Sequence, residues 1–263
     1  MTAHRARPPL ALTVPAVLAV ILLALPLVGL LTRAPWSSLP RLLTEPAALE
    51  AMRLSLVVAS AATVISLLLG VPLGWVLARV PFRGRGLVRV VVFVPLVLPP
   101  VVGGTALLFA LGRRGLVGRL LDDWFGLVLP FSTAGAVVAA TFVALPFLVL
   151  TVEAGVRSLP EDYEEVARTL GADRWAVFRH VTLPLIAPSM VAGAALAFAR
   201  AIGEFGATVT FAGNLPGRTR TLPLEIFTAL EQDPDTALAL GVVLLAVALV
   251  VLVALRDRLR GPT

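Results

Sequence analysis

Thr236-Ala-Leu-Ala-Leu-Gly-Val-Val-Leu-Leu-Ala-Val-Ala-Leu-Val-Val-Leu-Val-Ala-Leu255 is a run of 20 residues with no charged side chain. In a helix it spans about 30 Å, the thickness of a bilayer's hydrocarbon core. Five more runs free of Asp, Glu and Arg lie upstream: Leu10–Thr32, Leu54–Ala78, Val90–Gly112, Trp124–Val152 and Val181–Ala199. Each is long enough to cross once, the fourth with an interfacial lead-in from Trp124 to Ser132 and the fifth continuing through Arg200 toward Gly203. None alternates polar and apolar residues as barrel strands do. The expected fold class is all-α, a polytopic membrane protein with six transmembrane helices.

Composition agrees. Of 263 residues, 58% are hydrophobic and 14% charged, too apolar for a water-soluble domain of this length. Lipid is therefore its main contact. All 22 basic residues are Arg; there is no Lys and no Cys, and the two histidines are His4 and His180. A chain without Lys cannot complete a phosphate-binding P-loop. Without Cys it cannot build thiolate zinc sites, iron–sulfur clusters or disulfides. No cofactor or metal is expected here, and if ATP drives the protein, another polypeptide binds it. Arg clusters between apolar runs, which fits membrane topology rather than nucleic-acid binding.

The first run exceeds a secretory h-region of about 7–15 residues and lacks a cleavage site before Arg33, so a retained helix is expected. With the N-terminus inside, inner segments hold thirteen Arg and outer segments eight, with Arg200 inside a span. The positive-inside rule then places both termini in the cytoplasm. Residues 1–50 read as an N-terminal segment with the first helix and an outer loop, 51–255 as the main transmembrane domain and 256–263 as a cytoplasmic tail.

The most polar inner segment, residues 153–182, reads as two short helices. Ser158-Leu159-Pro160-Glu161 has the pattern of a capping box opening the first. Glu164 and Arg168 support it at i,i+4, Gly171 suits a left-handed residue beyond its end, and Asp173 suits the cap of a second helix, Arg174 to His180, ending near Leu183-Pro184. Ala167, Leu170 and Trp175 are expected to form an apolar knob with an acidic rim. A solvated amphipathic hairpin on the membrane surface is the alternative from patterning alone.

Glu165-Val166-Ala167, three residues, Gly171, nine residues, then Val181-Thr182-Leu183-Pro184 resembles the EAA loop of ABC importer permeases, departing mildly at Val166 and Val181. The resemblance implies the type I permease fold and a coupling loop, with Glu165, Ala167, Gly171, Ala172, Leu183 and Pro184 as its residues, docking on separate ATPase subunits. It also implies two ATPase copies and an extracytoplasmic oxyanion-binding protein, in a prokaryotic cytoplasmic membrane; a second permease copy is expected because six helices rarely enclose a solute path alone and the sequence shows no internal second half. The stretch Arg200 to Asn214, with Glu204-Phe205-Gly206, resembles molybdate permeases, and sulfate/thiosulfate permeases slightly less; tungstate is not distinguishable.

Arg200, Glu204, Thr208, Thr210 and Asn214 are candidate pathway residues, Arg200 and Glu204 one helical turn apart. A self-satisfying ion pair is the alternative. Pro95, Pro99, Pro100, Gly103 and Gly104 predict a kinked or broken third span, lining a channel or merely packing. The outer amphipathic stretch Leu224–Leu230 is placed to meet a substrate-loading protein. Two rival readings are weighed. A passive channel or secondary carrier leaves the loop motif unexplained, and a membrane enzyme lacks convergent acid–base or metal ligands.

Overall fold

The computed structural model describes residues 9–259. Arg5, Arg7 and Arg260, counted above on the inner side, lie outside the described residues. Among the described residues there is no strand, and five helices are long and apolar enough to cross a membrane. The sixth crossing is broken in two.

Helix α1 (Leu10–Arg33) is apolar all round and largely exposed within the chain, as suits a helix immersed in lipid. It touches the bundle where Leu30 meets Gly241. A short α2 (Leu39–Leu43) precedes α3 (Pro46–Arg79), which opens with Pro in its first turn. At 34 residues, α3 starts eight residues before the apolar run Leu54–Ala78.

The third run divides into α4 (Arg85–Val97) and α5 (Pro100–Leu111), joined through extended backbone at Leu98 and Pro99. Pro99 and Pro100 supply no amide hydrogen, so the helix has no ladder to continue. After α6 (Gly118–Phe125), held to the preceding turn by Arg113 on Asp122 at 2.7 Å, an irregular lead-in reaches Ser132. The Ser132 hydroxyl accepts from Gly135 N at 3.0 Å and caps α7 (Thr133–Ser158).

Then come α8 (Asp162–Thr169), α9 (Arg174–Val177), a π-helical turn Phe178–Thr182, α10 (Leu183–Ile202), α11 (Gly206–Phe211), α12 (Leu222–Gln232) and α13 (Pro234–Leu259). The core is the α3–α7–α10 triad, filled by Val58, Ala62, Ala140, Leu148, Val152, Ile186 and Ala197. Small residues let these helices approach closely: a Cβ on Gly70 would lie 2.7 Å from Leu148 and one on Gly74 2.9 Å from Val152. A second cluster joins α5, α7 and α11 around Phe211. There Gly104 has no room for a side chain, its Cβ position being 2.7 Å from Ala207 O.

Candidate functional site

The α8–α9 hairpin sits against the ends of α3 and α7. The expected capping box does not form. Ser158 ends α7 and donates to Gly155 O at 2.8 Å, Pro160 lies in the connection, and Glu161 occupies the cap position without a side-chain bond to the first-turn amides. The cause is that α7 outlasts its apolar run. Arg89 and Arg157 neutralise Glu153 at 2.6 and 2.8 Å, so the helix carries charge through its last turns.

Gly171 follows α8 at φ +89°, a conformation that costs other residues about 1–2 kcal/mol. Gly171 N reaches Arg168 O and Ala172 N reaches Ala167 O, which closes the end of α8. Asp173 accepts from Ala176 N at 2.6 Å and caps α9, as its position predicts. The second helix, however, does not stop at Leu183-Pro184. Pro184 has no N–H for the His180 carbonyl. The π turn, closed by Leu183 N on Phe178 O, carries the helix past it, so Arg174–Ile202 is one continuous rod. The second helix of the hairpin and α10 are thereby one element.

The exposed surface of the hairpin carries Tyr163, Val166, Leu170 and Trp175, with Leu170 83% exposed. Glu165 is also exposed and Ala167 half-buried. Trp175 stacks on Phe178 at 5.7 Å, and Phe178 meets Trp75 of α3 edge-on at 5.6 Å. The apolar knob is present, wider than expected by Tyr163 and Val166.

Sequence reasoning missed how the hairpin is anchored. Glu164, beside the motif glutamate, is 4% exposed. Its Oε1 accepts from Thr182 Oγ1 at 2.8 Å and from Arg79 Nε at 3.4 Å, and its Oε2 from Arg168 at 3.2 Å. Arg79 also donates to Leu159 O at 3.0 Å and to Glu161 at 3.3 Å. One carboxylate thus ties α8 to the end of α3 and to the π turn. Only the Glu164–Arg168 spacing was visible in sequence; Arg79 and Thr182 lie 85 and 18 positions away.

The pathway candidates lie around the end of α10, α11 and the loop that follows. Helix α10 ends at Ile202, so Arg200 and Glu204 do not share a helical turn. They still pair at 2.6 Å, while the other Glu204 oxygen accepts from Ala207 N at 2.7 Å in the first turn of α11. Glu204 is 2% exposed, with one of these partners on each oxygen. Thr208 is buried, and the Thr210 hydroxyl donates to Gly206 O at 2.8 Å. Asn214 accepts from Arg220 at 2.9 Å and donates to Thr228 at 3.1 Å, which fixes the α11–α12 loop. Arg200, Glu204, Thr210 and Asn214 thus find partners close in sequence, within turns and the α11–α12 loop.

The family model described as binding-protein-dependent transport system inner membrane component matches residues 70–261. The chain belongs to this family. It is therefore an inner-membrane, multi-pass permease component. This permease is 49% identical over 244 residues to the Molybdenum transport system permease protein ModB of Mycobacterium tuberculosis, covering 93% of this chain and 92% of that one. It is 44% identical to ModB of Escherichia coli K12 over 208 residues, covering 79% and 90%. The Sulfate transport system permease protein CysT of the same organism is 36% identical over 236 residues, covering 88% and 85%. Among solved structures, a bacterial ABC transporter importing alginate aligns at TM-score 0.71 and 20% identity over 96% of this chain and 95% of that one. The MetNI methionine ABC transporter aligns at 0.63 and 18% over 82% and 95%. At these identities the likeness is one of fold, the type I ABC importer permease fold.

Proposed function

We propose that this permease carries molybdate across the inner membrane as one subunit of an ATP-driven importer. The α8–α9 hairpin is the contact through which ATPase subunits move it. Identity of 44–49% over most of both chains to permeases named for molybdenum transport supports the cargo, and 36% to a sulfate permease makes sulfate the second reading. The observation that carries the coupling role is mechanical. The hairpin shows an apolar knob outward and is tied inward to α3 through Glu164–Arg79 and to α10 through an unbroken helix. A load on the knob reaches two core helices without a flexible joint.

In this reading ATP hydrolysis resides on a pair of partner subunits, a second permease copy completes the pathway, and an extracytoplasmic binding protein delivers the oxyanion. Both termini and the hairpin lie in the cytoplasm, following the arginine distribution. Nucleotide and loaded binding protein each favour one of two permease conformations, which is what couples them. The test is reconstitution with the ATPase and binding protein. ATP-dependent uptake of labelled molybdate that resists equimolar sulfate is expected; equal competition by sulfate overturns the cargo, and uptake without an ATPase overturns the coupling.

A further inference from the structure

Along α4 runs a groove that the rest of the chain leaves open. No residue of α4 is fully buried. A cavity of about 500 Å³ is lined by Val90, Phe93, Val94, Val97, Leu98 and Pro99. Phe93 also borders a second cavity, of about 310 Å³, walled by Arg89, Leu150, Glu153, Ala154 and Arg157. The groove therefore leads from the break in the third crossing to a charged cluster at the hairpin end of the bundle.

Two features separate this surface from one facing lipid tails. First, Pro95, Pro99 and Pro100 have no amide hydrogen, which deprives the carbonyls of Val91, Pro95 and Leu96 of their helical donors. Irregular backbone at membrane depth persists where protein or water can satisfy it. Second, Glu153 is 6% exposed and holds two guanidinium groups on the same oxygen, Arg89 at 2.6 Å and Arg157 at 2.8 Å. Headgroup anchors extend outward to the interface. These two turn inward to one buried acid and remain 28% and 48% exposed beside the cavity. One carboxylate offsets one cation, so the cluster presents a net single positive charge.

We propose that this groove is the inner part of the anion path, and that Arg89 and Arg157 form the site from which a tetrahedral oxyanion leaves. The proposal rests on the importer reading above. The guanidinium fork matches oxyanion geometry, and Glu153 keeps the site weak. Two copies facing each other across a dimer offer two net positive charges to a dianion. That is enough to draw it in while leaving exit possible, the balance conduction requires.

The chain has no cysteine, so Ala154→Cys at an exposed position of α7 is a single reporter. In inside-out vesicles of zwitterionic lipid holding the assembled transporter, anionic and cationic methanethiosulfonates should both modify it, with an anionic-to-cationic rate ratio above that of a free thiol in solution. Arg157→Gln should lower the anionic-to-cationic rate ratio roughly five- to tenfold, the effect of one unit charge about 7 Å away on two reagents of opposite sign. Arg157→Lys should preserve the ratio and Glu153→Gln raise it, and added molybdate should slow modification. Protection by sulfate but not molybdate supports the path while refuting the cargo reading. The proposal is overturned if neither reagent reacts, if Arg157→Gln leaves the ratio unchanged, or if neither oxyanion protects.

Discussion

Glu164→Ala removes the carboxylate that holds the hairpin to the bundle. Breaking a buried ion pair by deleting one partner costs about 3–5 kcal/mol, because the other charge is left desolvated. Here Arg79 keeps Leu159 O and the exposed Glu161, and Arg168 is half exposed, so neither cation is stranded. About 2 kcal/mol is the reasoned cost, including the Thr182 hydrogen bond. At 1.4 kcal/mol per factor of ten, this raises the open population of the hairpin about thirtyfold. Trypsin cleavage at Arg168 and Arg174, followed by mass spectrometry, reads that population when reclosing outpaces cleavage. Glu164→Gln keeps an acceptor for Thr182 and Arg79 and should raise cleavage only about fivefold, a cost near 1 kcal/mol. In the assembled transporter, Glu164→Ala should retain basal ATP hydrolysis but lose stimulation by loaded binding protein. Cleavage within threefold of the parent, together with full stimulation, refutes the anchoring argument.

Gly171→Ala meets no atom within 4 Å, so its cost is backbone strain alone, about 1–2 kcal/mol, and roughly tenfold weaker capture of the ATPase subunit in a titration is expected. Gly104→Val forces α5 away from α11 and should lower the melting temperature by several degrees in scanning fluorimetry, a shift set by overpacking of about 1–3 kcal/mol. Glu204→Gln weakens the Arg200 pair and the bond to Ala207 N. It should lower thermal stability while leaving the KM for molybdate uptake within twofold, and a raised KM at unchanged stability returns the residue to the pathway.

The six crossings were legible because lipid imposes a length and a polarity that no residue of Thr236–Leu255 violates. The break in the third crossing was legible for a similar reason, since proline removes donors wherever it stands. Element ends were less so. The capping-box reading failed because Glu153, an apparent end to the fourth span, is neutralised by an arginine 64 positions away. Pro184 read as a helix boundary because a π turn leaves no sequence mark. The hairpin's turn and caps, Gly171 and Asp173, depend on neighbours in sequence and were predicted correctly. Its anchor depends on Arg79 and Thr182, brought to Glu164 only by packing. The pathway candidates were chosen for polarity, which here also serves local structure: Arg200 pairs with Glu204, Thr210 with Gly206 and Asn214 with Arg220. The cluster at Glu153 was overlooked because its arginines looked like topology signals.

The central claim is that the α8–α9 hairpin faces the cytoplasm and receives the motor subunit. Leu170→Cys, at the exposed tip of the knob in a chain otherwise free of cysteine, measures this with a membrane-impermeant maleimide. The account predicts no labelling in intact cells, rapid labelling in inside-out vesicles stripped of the ATPase, and protection when the ATPase is restored. Labelling of intact cells from outside contradicts it.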